Sequence, residues 1–239
     1  MLTPVVAAWW TGPVGILLRL PGMVGAGAAG AVLGAAALVA AHVRRTKPLH
    51  PDGRAGRGTL HVDPEGGSGG SGVPLLDQPG DHDVQVRWSR GGGLPSWAPD
   101  VEGLAIRLLD HGPADVLLAG SGTGIVGRHV LHPRTRRRHG EMSTLFPYRT
   151  AGGSLVLMVS PGDVDGDLPG SWELSWSRVG GPWHRVGRLS VTFSDGDEIT
   201  RYDPVTHQLP GASQSPAVVA IREPAYAAAR TVRARLRPV

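Results

Sequence analysis

The rhythm of its turns limits what this chain can fold into more than any other feature. Between residues 59 and 193 the sequence breaks into eight short apolar or alternating runs: Thr59–Val62, Val84–Trp88, Leu104–Leu109, Val116–Ala119, Arg128–Leu131, Ser154–Ser160, Trp172–Ser177 and Arg188–Phe193. Turn-forming clusters part them, namely EGGSGGSG at 65–72, Gly91–Gly93, Gly152–Gly153, Gly180–Pro182 and Asp195–Asp197. Runs this short, bounded by glycine and proline, have the length of strands and leave no room for ordinary helices. A repeating strand–helix alternation, which a parallel sheet requires, is missing. The pattern predicts a mainly β domain, an antiparallel barrel or sandwich. A chain of 239 residues can bury a full core without staples. It contains no cysteine, which excludes disulfides, thiolate metal sites and a cysteine nucleophile. The glycine-rich 65–72 stretch reads as a flexible linker or as a long loop between two strands.

The flanks differ from this core. Residues 1–43 carry one charged side chain, Arg19, and Gly22–Val43 is an unbroken 22-residue stretch of mostly alanine and glycine. That length can span a bilayer, and the spacing of Gly30 and Gly34 suits close helix packing. Arg44, Arg45 and Lys47 follow and would keep the rest of the chain cytoplasmic. Two readings of residues 1–46 stay open: a helical arm in or on a membrane, and a soluble helix lying on the 47–239 domain. At the other end, 223–237 (EPAYAAARTVRARLR) reads as a helix, with a proline in its first turn and arginines toward its C-terminus.

One stretch carries more information than its length suggests. Residues 47–62 read KPLHPDGRAGRGTLHV, with His50 followed by Gly53, Gly56 and Gly58 before a strand. Glycine permits positive φ and close backbone approach, so such a run can fold tightly around something flat or bulky. The stretch resembles the segment of haem catalases that bears the distal histidine. Three more segments follow in catalase order: Val86-Arg87-Trp88-Ser89, the run from Asp100 through Gly103 to Arg107, and Gly112-Pro-Ala-Asp115-Val-Leu-Leu. Together they cover roughly residues 47–120. The resemblance implies a catalase-like superfamily member with an eight-stranded antiparallel barrel. It implies haem as cofactor, with His50 as the distal acid–base, Ser89 as its support, and Arg87 and Lys47 as partners of the propionates. A neutral imidazole beside a bound peroxide can pass a proton between its oxygens.

The departures bear on activity. Where catalases place the distal asparagine, this chain reads Leu118-Ala119-Gly120, and the whole sequence lacks asparagine. Tyr226, on the C-terminal helix, lacks the arginine context of the proximal tyrosine, and Tyr148 falls in the barrel as a strand residue. The axial ligand sets what haem iron does. The reading is therefore a divergent catalase-like protein whose haem or peroxide chemistry falls short of catalase turnover. The competing reading is a haem-free barrel that binds a small apolar or anionic ligand, or a membrane-tethered interaction module. A hydrolase such as a phosphodiesterase is a weaker alternative that no motif supports.

Other patterns fit bland readings. Gly122-Thr-Gly124-Ile-Val-Gly127 matches a dinucleotide fingerprint, but β-like residues and Pro133 follow it instead of a helix, so it reads as a glycine-rich hairpin loop. Arg134–His139 (RTRRRH) reads as a solvated loop, able to touch lipid headgroups; nucleic acid is not implied, because no aromatic interleaving accompanies it. Asp163, Asp165 and Asp167 read as a polar turn. His129, His132 and His139 fit no familiar zinc spacing, and Trp88, Trp172 and Trp176 fit barrel-wall packing.

Overall fold

The computed structural model describes residues 52–64, 70–91, 97–110, 112–135, 138–196, 201–220 and 222–223. Twelve strands form: β1 (Asp52–Val62), β2 (Gly80–Arg90), β3 (Glu102–Leu108), β4 (Ala114–Gly120), β5 (Met142–Ser143), β6 (Tyr148–Thr150), β7 (Gly153–Pro161), β8 (Val164–Asp165), β9 (Leu168–Pro169), β10 (Ser171–Arg178), β11 (His184–Phe193) and β12 (Ala212–Gln214). Eight of them close on themselves in the order β1-β2-β3-β4-β5-β7-β10-β11, every pairing antiparallel, with β11 returning to β1. The result is the expected mainly β fold, a closed eight-stranded antiparallel barrel. Closure leaves the barrel wall without a free edge. β6 and β12 extend the sheet beside β7, and β8–β9 is a separate small hairpin.

Side-chain alternation sets the two faces of the wall. On β2, Val84, Val86 and Trp88 point into the core, so Gln85, Arg87 and Ser89 point out. Leu104, Ile106 and Leu108 on β3 and Ala114, Val116 and Leu118 on β4 fill the same core, with Trp172, Leu174 and Trp176 of β10 facing them. One end of the lumen is plugged. The β1–β2 connection carries a one-turn helix, α1 (Pro74–Asp77), whose Leu76 packs into the core beside Val73 and Leu209. The Asp77 carboxylate accepts the backbone N–H groups of Ser71 and Gly72 at 2.9 Å, which fixes the plug.

The β1–β11 seam depends on glycine. A Cβ on Gly58 would lie 1.9 Å from the Ser190 carbonyl oxygen, and one on Gly187 would lie 1.9 Å from that of His61.

Two expectations change. Arg128–Leu131 is not a strand: Gly127–His129 is a 3-10 turn, and the missing barrel strand is the two-residue β5. The turn forms because Gly122 and Gly127 let the chain fold back, with the Gly122 N–H on the Gly127 carbonyl at 3.0 Å. Helix near the C-terminus begins earlier than residue 223. Residues 216–220 and 222–223 are helical, with Ser215 Oγ accepting the Val218 N–H at 3.3 Å. Lys47, His50, the 1–46 arm and the stretch from 224 on lie outside the described residues. Among the described residues, no helix is long and apolar enough to cross a membrane.

Candidate functional site

The segments from 52 to 120 meet on the outer face of β1–β4. The strand registers place Gly53 opposite Ser89, Ser89 opposite Gly103, and Gly103 opposite Ala119. One residue row thus crosses four strands, built from small side chains. In the next row Ala55, Arg87, Ala105 and Leu117 stand in line. Arg87 reaches back across β1: its guanidinium occupies the space over Gly53, where a Cβ would sit 2.3 Å from Nη2. A side chain at 53 would push that cation away from the wall. Of the residues the sequence nominates, Arg87 and Ser89 are therefore brought together on one face, with Gly53 three residues after His50. Ser89 is buried.

The row continues from Ala119 to Ser143 on β5. There the outer face is covered by Leu145, Phe146, Val218 and Leu131, a second apolar cluster against Ala119. Leu145 has φ of 56°, a left-handed conformation that an L side chain rarely adopts. Two contacts hold it: Ser143 Oγ accepts the Leu145 N–H at 3.1 Å, and His129 Nδ1–H donates to the Leu145 carbonyl at 2.6 Å. His129 is fully buried, and burial pushes its pKa below the ordinary histidine value, so the imidazole is neutral. Arg128 beside it donates to Ser177 Oγ at 2.6 Å and lies over the Trp183 ring.

Lower on the same face Arg107 grips the fully buried Asp115 carboxylate with bonds of 2.6 and 2.7 Å. Asp115 also accepts the Asp203 N–H at 2.6 Å and meets His207 Nδ1 at 3.0 Å, tying the 201–208 segment to β3 and β4. The bond to Asp115 is the main reason the Arg107 pKa lies above its ordinary value.

A large cavity lies elsewhere. It occupies about 1390 Å³ at the end of the lumen away from α1, where Arg54 and Trp88 point inward. Sequence reasoning missed this site, because its walls come from residues as far apart as 54 and 168. At its edge His139 Nδ1 meets the buried Glu102 carboxylate at 2.6 Å and Nε2 meets the Asp167 carbonyl at 2.9 Å. The Asp167 carbonyl accepts only, and an ionised Glu102 carboxylate accepts too, so the surroundings favour the doubly protonated ring. The Glu102 bond is the main cause of the raised His139 pKa. The 134–139 run is thus only partly a solvated loop: Arg134 is drawn in to the Ser121 carbonyl at 2.7 Å and His139 to Glu102, while Arg138 stays exposed.

No family model and no curated protein matches the sequence. Solved structures do. The fold is similar to that of a bacterial catalase, with a TM-score of 0.54 and 14% identity over 98% of this chain and 64% of that one. It is similar to catalase A from Saccharomyces cerevisiae, with a TM-score of 0.56 and 12% identity over 83% of this chain and 63% of that one. A fungal catalase matches with a TM-score of 0.51 and 13% identity over 75% of this chain and 57% of that one. The chain spans less than two thirds of the length of these catalases. The fold is catalase-like.

Proposed function

We propose that this chain, a catalase-like barrel, seats a flat, ring-bearing anion against the outer face of β1–β4, with haem as the group the fold implies, and does not perform catalase turnover. The observation that carries the reading is the Arg87 guanidinium, in the row next to Ser89, laid over Gly53 of the strand that leads back to His50. The small residues Ala55, Gly103 and Ala105 let a planar group approach the wall, and Arg87 supplies a cation for a propionate. Lys47 would add a second. The fit is to the ring and its carboxylates. Where the resemblance calls for a carboxamide the chain has Ala119, packed against Leu145 and Phe146. Among the described residues the tyrosines are Tyr148, buried in the core, and Tyr202, stacked under Arg107 at 5.1 Å. Neither supplies the proximal phenolate.

Haem, when bound, supplies a redox-active iron. The chain's own residues would do the rest: Arg87 and Lys47 orient the carboxylates, Ser89 positions His50, and the His50 imidazole holds or moves a proton. The test is a titration of the full-length protein with haemin, read by visible absorption. A saturable Soret band, weakened by Arg87→Ala and altered by His50→Ala, is the expected result. A protein that stays colourless after reconstitution refutes the haem reading.

A further inference from the structure

Strand β2 serves two spaces at once. Arg87 and Ser89 face outward, while Trp88 faces the lumen mouth, one sheet thickness away. We propose that the mouth cavity is a separate binding site for a small organic anion with a planar apolar body. The proposal goes beyond the outer-face reading and does not rest on it.

Three observations point to this ligand chemistry. The first is size: clefts of roughly 300–1,000 Å³ already enclose most of a small ligand, and barrel mouths are favoured places for them. This one, about 1390 Å³, is ample. α1 packs at the opposite end of the barrel.

The second is charge. Around the mouth the acidic groups are mostly matched: Glu102 by His139 at 2.6 Å, Glu141 by Arg134 at 3.3 Å, and Asp100 by Arg90 at 4.0 Å. Among the described lining residues, Arg54 and Arg138, both exposed, then stand over the cavity with Asp167 as the one carboxylate not matched above. A concave site with surplus cations attracts and holds an anion.

The third is the inner wall. Trp88 is 93% buried (7% exposed), yet its indole N–H meets no acceptor among the described residues. Buried donors of this kind nearly always have a partner. An acceptor-bearing ligand would supply it. Trp88 and the 80%-exposed Trp97 offer ring faces, and Leu168 an apolar edge, for a planar body. Glu102 Oε2 also lacks a described partner, but its charge is matched by His139.

The experiment uses the full-length chain and the fluorescent anion 1-anilinonaphthalene-8-sulfonate, with 2-naphthoate and neutral 2-naphthamide as competitors. Saturable one-to-one enhancement, sensitised by tryptophan excitation, is expected. The Arg54→Gln/Arg138→Gln double variant should weaken it about tenfold, each exposed charge contributing a few-fold. Both residues are exposed, so an unchanged melting curve verifies that the variant is folded. Naphthoate should displace the probe and naphthamide should not. Arg87→Ala should leave probe binding intact while it weakens haemin, so the two readings fail separately. Absent or non-saturable enhancement, equal displacement by the amide, or loss through Arg87→Ala and not through the double variant would each overturn the proposal.

Discussion

His139 makes the stability of this barrel depend on pH in a direction its contacts dictate. Its two ring nitrogens face two acceptors, the Glu102 carboxylate from β3 and the Asp167 carbonyl from the β8–β9 hairpin, at 2.6 and 2.9 Å. A neutral imidazole donates only once, so deprotonation ends one of these bonds and leaves the Glu102 carboxylate without its opposing charge. Arg90 and the edge of Trp88 complete the surroundings; Arg90 opposes the proton, but the Glu102 bond outweighs it. The folded-state pKa is raised, so the folded protein holds the proton over a range where the unfolded chain has lost it. The stabilisation is then fully present below the ordinary value of about 6.5 and disappears as pH rises through the higher folded value.

A hydrogen bond to a charged group contributes about 1.5–3 kcal/mol. The His139 side chain is only 9% exposed and Glu102 1%, so water replaces little of what is lost. The expected decline is about 2 kcal/mol, or roughly 4–8 °C in Tm for a domain of this size. Urea unfolding of wild type and His139→Gln, from about pH 5.5 to 9, reads it out. His129 supplies the opposite slope: burial lowers its pKa, so its contribution is present above about 6.5 and lost on acidification below it. Wild type should therefore show a stability maximum, and His139→Gln should lose the alkaline decline while keeping the acid one. Equal alkaline slopes in the two proteins, or wild-type stability that rises through that window, would refute the assignment of the proton to His139.

Two further predictions concern the scaffold. Asp115→Ala removes a fully buried carboxylate that joins Arg107, Asp203 and His207; it should cost about 3 kcal/mol, the low end for a broken buried pair because the Arg107 side chain is 15% exposed. A loss under about 1 kcal/mol in urea melts would mean that water replaces the pair. Gly187→Ala places a methyl 1.9 Å from the His61 carbonyl oxygen and should destabilise the β1–β11 seam by about 3 kcal/mol, with faster amide exchange at Leu60 and Leu189. Unchanged exchange there would show that the seam shifts without strain.

Much of the wall was legible because alternation reports it directly. Val84, Val86 and Trp88 place Arg87 and Ser89 on the opposite face by parity alone; the apolar runs of β4, β7, β10 and β11 fall inside observed strands, and that of β3 overruns its strand by Leu109. The failures have local causes. Arg128–Leu131 alternates like a strand, but its side chains satisfy loop contacts: Arg128 on Ser177, His129 on the Leu145 carbonyl. The strand that takes its place, Met142–Ser143, is too short to leave a pattern. Ser215-Pro216 carries the cap-and-proline signature of a helix start, a signal that the alanine-rich stretch from 223 outweighs. The mouth cavity had no signal to read. Its residues come from β1, β2, the β2–β3 and β4–β5 connections, the end of β7 and the β8–β9 hairpin, and the described members of the 134–139 run split between half-buried and exposed, which composition cannot foresee.

Parity on β2 also explains why the two candidate sites can diverge independently. A one-residue slip would send Trp88 outward and Arg87 into the lumen, and the three core side chains Val84, Val86 and Trp88 forbid it, each fully buried apolar side chain being worth about 1.5–3 kcal/mol. With the register fixed, a change at an outward position such as Ala119 alters the Ser89–Gly103 row without touching Arg54 or Trp88. A change among Arg54, Arg138 and His139 alters the mouth without moving Arg87 off Gly53. The barrel wall thus separates the Arg87–Ser89 face from the residues that line the cavity. Ala119 in place of a carboxamide on one face is no argument against ligand binding on the other.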